Sequence, residues 1–303
     1  MVRGQVASYL LWGSDKKYIV VGRVLITGAN GFVGNCLVRM LENTDWQVVP
    51  LVRRGSGFNN EVVLDFCDVD FRGKVTMLPR VDGIVHLGAR IGWDGSTREE
   101  MLKPNVLATA ELANWSKSIG AYFLFSSAAI VFGSRNSYIT SSSKLNLDTD
   151  YGYSKWLAEE LIRMSGVKCG ILRIGGVFGK NGPSHLGINV AIDNVLKGIA
   201  PVQHGEGAVK RNYIYVEDLC RMIKFCIEQG LEGTHLVAGS SVNLVSEMLE
   251  IICETFLPGR KPQCVASKSV VYDQVIEHST YLPAGRSFEE AMKDIKSATE
   301  PSA

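Results

Sequence analysis

The sequence predicts an α/β protein in which helices cover both faces of a doubly wound parallel sheet, with a small C-terminal α/β lobe. Three observations predict it. Short β-rich runs alternate with longer stretches of helical spacing from Arg23 to Ile174. A glycine-rich turn, Thr27-Gly28-Ala29-Asn30-Gly31-Phe32-Val33-Gly34, follows the first of those runs directly. After Arg173 the alternation loosens into glycine-rich connections around Gly175 to Gly187 and Gly205 to Gly207.

The runs Arg23 to Thr27, Gln47 to Val52, Val62 to Leu64, Gly83 to Leu87, Tyr122 to Ser126 and Lys168 to Ile174 read as buried strands. They are apolar without the polar alternation of a half-exposed sheet, which implies parallel strands covered on both sides. Phe32 to Glu42, Arg98 to Ser118 and Tyr151 to Met164 have the length and apolar spacing of crossover helices, and the right-handed βαβ rule then gives the doubly wound arrangement. Further helices are expected at Gly187 to Lys197, Glu217 to Glu228 and Val245 to Thr255. No internal repeat stands out, Ser141 to Ser143 reads as a surface loop, and Pro301 to Ala303 are expected to fray.

A chain of 303 residues, 46% hydrophobic and 21% charged, can bury one large core or a core plus a lobe. Its 32 basic residues nearly cancel 31 acidic ones with no long run of one sign, which argues against nucleic-acid and membrane partners and for a small molecule. The seven cysteines, Cys36, Cys67, Cys169, Cys220, Cys226, Cys253 and Cys264, never form a CxxC pair, so neither a metal site nor a disulfide framework is expected. The apolar stretch Val6 to Trp12 within Met1 to Tyr18 is too short to span a bilayer and lacks a cleavage pattern. A cytoplasmic location is the expectation.

The glycine turn carries chemistry because it leaves a strand and opens a helix. Gly28 permits the tight turn, Gly31 lets backbone approach a pyrophosphate, Gly34 lets the helix pack on the sheet, and the helix N-terminus offers free N–H groups to an anion. Residues 1–174 are therefore expected to form a Rossmann dinucleotide-binding domain, with returns near 210–240, and residues 175–303 mainly the substrate lobe. The next strand ends in Arg53 and Arg54, where an acid would otherwise accept from the adenosine ribose. A guanidinium can clamp a 2′-phosphate, so NADP is expected over NAD; the alternative is two solvated arginines beside an NAD site. Asp65, after the third strand, could accept from an adenine amino group.

Tyr151 and Lys155 are four residues apart at a helix start, which puts phenol and ammonium on one face. A neighbouring cation favours the phenolate, so Tyr151 could move a proton while a nicotinamide moves hydride. Tyr153 is spaced by two from Lys155 and points elsewhere. The fifth strand supplies Ser126 and Ser127 as candidate hydroxyls for the substrate oxygen, against a reading in which they only cap the strand. Trp93, in the Ile91-Gly92-Trp93-Asp94 stretch, could pack on a sugar or base. His185, His204, His235 and His278 are scattered singly and receive no role.

Together these residues resemble the extended short-chain dehydrogenase/reductases, the group of nucleotide-sugar epimerases, dehydratases and 4-ketoreductases. The resemblance runs from about Arg23 to about Ile295. It is carried by the TGxxGxxG turn, His86-Leu87-Gly88-Ala89, Asn105, the YxxxK pair, Leu172-Arg173-Ile174 with Val177-Phe178-Gly179, and Arg211 through Asp218. It implies that the cofactor site is formed by Gly28, Asn30, Gly31, Phe32, Val33 and Gly34, by Leu87, Gly88, Ala89 and Asn105, by Asp65 and Phe66 flanking the adenine, and by Lys155 holding the nicotinamide ribose beside Tyr151. Arg211 would face a substrate phosphate. A homodimer paired through the helix from Tyr151 and the Arg98 to Ser118 helix is a further implication.

The sequence departs from the family pattern at three points. The hydroxyl that usually lies four residues before the aromatic of an aromatic-glycine pair falls on Ala128, so either the strand end is shifted by one and Ser127 (or Ser126) bonds the substrate oxygen, or the hydroxyl is missing and Tyr151 acts with less help. Ala128 to Ile130 offer no acid pair, which disfavours dehydration, and Gly176 stands where an asparagine is usual near the substrate pyrophosphate. The expected activity is NADPH-linked hydride transfer to a nucleotide-linked 4-ketosugar. The alternatives are an NAD-dependent 4-epimerase, a reductase of a non-sugar carbonyl and a non-catalytic NADP-binding regulator.

Overall fold

A computed structural model describes residues 22–92, 95–267 and 270–299. The expectations for Met1 to Tyr18, Trp93 and Pro301 to Ala303 fall outside them. Strands β1 (Arg23–Thr27), β2 (Gln47–Val52), β3 (Val62–Val63), β4 (Gly83–His86), β5 (Tyr122–Ala128), β6 (Cys169–Ile174) and β7 (Gly233–Val237) form one seven-stranded sheet in the order β7-β6-β5-β4-β1-β2-β3. Every neighbouring pair is parallel. The order reverses between β1 and β4, and in such sheets the crevice beyond the carboxyl ends at that point takes the ligand.

Alternation along the strands divides the core in two. Val24 and Ile26 of β1 face one side, where they pack with Leu37 and Leu41 of α1 (Phe32–Glu42) and Ile223 of a later helix. Leu25 faces the other, with Ile84, Phe123, Leu112 and Ile162. Each such side chain is fully buried, and each contributes roughly 1.5–3 kcal/mol by leaving water. The second face is covered by α2 (Phe71–Thr76), α4 (Ala108–Ile119) and α5 (Asp150–Ser165), with α3 (Arg98–Leu102) packed against α5. Between α3 and α4 the chain winds as a π-helix over Lys103–Leu107, where Pro104 has no N–H to give to an α-helical ladder.

The C-terminal part contributes α6 (Gly187–Leu196), α7 (Val216–Gln229), α8 (Val245–Phe256) and α9 (Phe288–Ser297). It also makes short two-stranded ladders: Val177–Phe178 with Ile214–Tyr215, Val202–His204 with Gln263–Val265, and Lys210–Arg211 with Asn243–Leu244. Helix α7 packs on α1 and β7 pairs with β6, so the chain returns to the sheet after leaving it at Ile174. Among the described residues no helix is long and apolar enough to cross a membrane.

Candidate active site

Two loops meet at the reversal. Gly28 has φ +66°, and a Cβ there would lie 2.9 Å from both N and Cα of Gly88, so the turns after β1 and β4 touch through backbone alone. Gly34 is closer still: its Cβ would sit 2.1 Å from the Gly28 carbonyl oxygen. The result is a cradle that side chains would fill. Helix α1 starts after Gly31 with no side-chain cap and no acidic residue in its first turn, which leaves N–H groups and the positive dipole end open to a phosphate. These features fit a dinucleotide pyrophosphate.

A buried relay ties the loops to the sheet. The Gly88 N–H donates to Thr27 Oγ1 at 3.0 Å, Thr27 Oγ1 lies 2.7 Å from His86 Nδ1, and His86 Nε2 lies 2.8 Å from Thr109 Oγ1, which donates to the Asn105 carbonyl at 2.7 Å. Thr109 has spent its hydrogen, so His86 donates from Nε2 and accepts at Nδ1 from Thr27, which fixes the neutral tautomer. Burial, aided by the charge of Lys155, pushes the imidazole down to about 3. Asn105 lies within the π-helical turn: its Oδ1 accepts from the Arg90 N–H at 2.7 Å, and its Nδ2 donates to the Arg90 carbonyl at 2.8 Å and to Ser154 Oγ at 3.0 Å. Ser154 in turn donates to the Tyr151 carbonyl at 2.8 Å, so the loop after β4 and the start of α5 are held together.

Helix α5 begins after Thr149, whose hydroxyl accepts from the Gly152 N–H. Its register brings Tyr151 and Lys155 together: Lys155 Nζ lies 5.8 Å from the Tyr151 ring centre, 4.5 Å from that of Phe125, and donates to the Ser126 carbonyl at 2.6 Å. Lys155 is 1% exposed. Burial pushes its ammonium down to about 7, opposed by the charge of Glu159. Burial also pushes the Tyr151 phenol upward, so in this arrangement it is a neutral acid whose neighbouring ammonium is turned to the strand carbonyl. Tyr153 points elsewhere, with the Arg98 guanidinium 4.9 Å over its ring and the tilted Trp156 ring at 5.9 Å.

The two serines diverge as strand alternation requires. Ser126 Oγ donates to the His86 carbonyl at 2.9 Å. Ser127, 3% exposed, donates to Glu159 Oε1 at 2.5 Å under α5. Ala128 ends the strand half-buried, and it brings no hydroxyl. Burial alone would raise the Glu159 carboxyl, but Arg173, with Ser127 and Arg163, outweighs it and holds the group below the usual carboxylate range.

Arg53 and Arg54 lie exposed at the end of β2. Asp65 caps its own turn, accepting from the Cys67 N–H at 2.8 Å, and Phe66 packs its ring edge where a Gly88 Cβ would stand. Arg211 is half-buried, and its Nη1 donates to the carbonyls of Lys210 and Tyr272. Gly176 leaves room for the Tyr213 ring, 2.5 Å from where its Cβ would be. Sequence reasoning gave no role to Thr27, Thr109, Ser154 or Glu159. Two carried a signal: Thr27 as the first letter of the TGxxGxxG turn, and Glu159 by its spacing of four from Lys155.

A model of the NAD dependent epimerase/dehydratase family matches residues 24–239, and the chain belongs to this family. It is an NAD(P)-dependent enzyme of the short-chain dehydrogenase/reductase type. A protein of Methanocaldococcus jannaschii provisionally named a UDP-glucose 4-epimerase is 26% identical over 248 residues, 76% of this chain and 81% of that one. Among solved structures, MoeE5 in complex with UDP-glucose and NAD superposes with a TM-score of 0.77 at 24% identity, covering 92% of this chain and 98% of that one. UDP-glucose 4-epimerase of Thermotoga maritima, with UDP-glucose, gives 0.77 at 20% identity over 91% and 97%. These structures share the fold.

Proposed function

We propose that the enzyme transfers hydride at C4 of a nucleotide-linked sugar, with Tyr151 as the acid/base and Lys155 as the cation that tunes it. The observation that carries this is the buried Lys155 beside Tyr151, its ammonium bound to a carbonyl near the carboxyl end of β5. A bound nicotinamide would supply the hydride acceptor and donor. In the oxidising direction a Tyr151 phenolate, held by the Lys155 ammonium, would take the proton of the C4 hydroxyl and become phenol; in the reducing direction the phenol gives that proton to the carbonyl oxygen and the ammonium stabilises the phenolate left behind. With Ser127 committed to Glu159 and Ala128 lacking a hydroxyl, Ser126 is the side chain left to turn toward the substrate oxygen. Trp93 and Arg211 are assigned to the nucleotide sugar, Arg211 at its phosphates.

Two forms of this chemistry compete. The arginine pair after β2 favours NADP and reduction of a 4-ketosugar. The names of the relatives, and the NAD bound to MoeE5, favour a 4-epimerase that retains NAD. The deciding experiment titrates the protein with NADPH and NADH by fluorescence, on wild type and on Arg53→Ala/Arg54→Ala, and follows UDP-glucose to UDP-galactose conversion. NADPH preference abolished by the double substitution supports the reductase. Equal or better NADH binding with turnover of UDP-glucose makes the enzyme an epimerase and returns both arginines to the surface. No turnover of any UDP-sugar by the cofactor-loaded protein overturns the sugar assignment. A cytoplasmic homodimer through α4 and α5 completes the reading, its mass to be read by light scattering.

A further inference from the structure

We propose that Glu159 is a positioning residue for the Tyr151 and Lys155 pair: its buried carboxylate locks the strand end that holds Lys155 and supplies the negative charge that keeps the ammonium protonated. This rests on the reading of Tyr151 and Lys155 as the acid/base pair.

Glu159 is fully buried and lies one helical turn beyond Lys155 on α5, on the same face. Four hydrogen bonds converge on it: Ser127 Oγ at 2.5 Å, Arg173 Nε at 3.1 Å and Nη2 at 2.7 Å, and Arg163 Nη2 at 2.9 Å. Arg173 comes from β6 and rests 4.9 Å over the Phe132 ring, so β5, β6, α5 and the turn after β5 are joined at one carboxylate. The tie is double between α5 and β5. Ser127 reaches Glu159, and the carbonyl of the preceding Ser126 accepts from Lys155 at 2.6 Å. Neither contact can shift without straining the other.

A buried ion pair is a poor stability device, since apolar packing of the same volume does as well or better. Its charge has a use here. The groups facing Lys155 are Tyr151 and Glu159 on its own helix, the Ser126 carbonyl and Phe125 ring on β5, and the neutral His86 on β4. Glu159 is the anion among them. Its charge opposes the burial that brings Lys155 down to about 7.

The test reads the protonation of Lys155 in the cofactor-free protein, by the pH dependence of its 13Cε resonance in lysine-labelled protein, assigned by Lys155→Met. Glu159→Gln keeps the shape and removes the charge; the Lys155 midpoint should fall by about one pH unit. Glu159→Asp, which restores the charge, should bring it back toward wild type. Arg173→Gln leaves the carboxylate less compensated and should move the midpoint up, a sign opposite to Glu159→Gln that general loosening does not produce. This arm also decides the matter if Glu159→Gln fails to fold. An unmoved midpoint in folded Glu159→Gln, or a midpoint in Arg173→Gln that stays or falls, overturns the proposal. In parallel, Tyr151→Phe and Lys155→Met are assayed on UDP-glucose with NAD or NADP. If they retain wild-type turnover, the acid/base reading itself falls; if they are inactive while the midpoint in Glu159→Gln is unmoved, only the role of Glu159 is lost.

Discussion

Tyr151 and Lys155 are ordinary residues whose ionisation is shifted by where α5 puts them. Burial raises the phenol and lowers the ammonium, so each is drawn toward its neutral form, and at Lys155 the charge of Glu159 opposes this. Tyr151→Phe removes the proton carrier and nothing else. Turnover should fall by roughly 10²- to 10⁴-fold, with dinucleotide affinity within a few-fold of wild type by fluorescence titration. Comparable loss of cofactor affinity would mean that the phenol serves binding. Ser126→Ala should cost less than Tyr151→Phe, since its hydroxyl bonds a strand carbonyl before any substrate arrives. A loss as large as that of Tyr151→Phe would place Ser126 among the proton-moving groups.

At the scale of elements, the turn between β1 and α1 leaves no room for added side-chain atoms. A methyl at Gly34 would press on the Gly28 carbonyl, which is backbone and cannot step aside. Gly34→Ala should therefore lower stability by about 1–3 kcal/mol in urea unfolding and abolish pyrophosphate-dependent binding. If cofactor binding survives, α1 packs more loosely than the contact implies. The first six strands, and α1, α4 and α5 beside them, were legible in the sequence because parallel strands buried on both sides are written as apolar runs; β3, expected to be buried, lies at the sheet edge with Val63 exposed. The glycine turn and the YxxxK pair were legible because both are local spacings. Helices α2 and α9 went unforeseen, α2 being barely two turns long. The different fates of Ser126 and Ser127 were hidden too, because they depend on which face of β5 meets a carboxylate 32 residues later. His86 was visible as a motif letter, but its partners, Thr27 and Thr109, lie 59 and 23 residues away.

For the whole molecule, two buried bases set the response to pH. His86 titrates near 3 when folded and Lys155 near 7, both below their ordinary values, so the unfolded chain binds protons that the folded one refuses. Stability is thereby lost as pH falls through the window from 6.5 to 3 for His86, and from 10.5 to 7 for Lys155, at ~1.4 kcal/mol per unit for each group. Urea midpoints of the cofactor-free enzyme should rise between pH 7 and 9, and Lys155→Met should flatten that rise while being more stable than wild type at pH 7. A wild-type midpoint that is level over this range would show the ammonium to be better solvated than its burial implies.

The return of β7 to the sheet bears on how the chain is made. Strand β6 ends at Ile174, yet its outer neighbour, Gly233–Val237, is translated only after α6, α7 and the ladder of Val177–Phe178 with Ile214–Tyr215. Until then the growing polypeptide presents β6 as an open, apolar edge, the kind that recruits other chains. A polypeptide stopped at residue 174 should accordingly aggregate rather than yield a soluble dinucleotide-binding half, and one extended past Val237 should be the shortest that stays in solution. Synthesis from the ribosome thus places the closing of the sheet late, and couples the soundness of the first 174 residues to completion of those that follow.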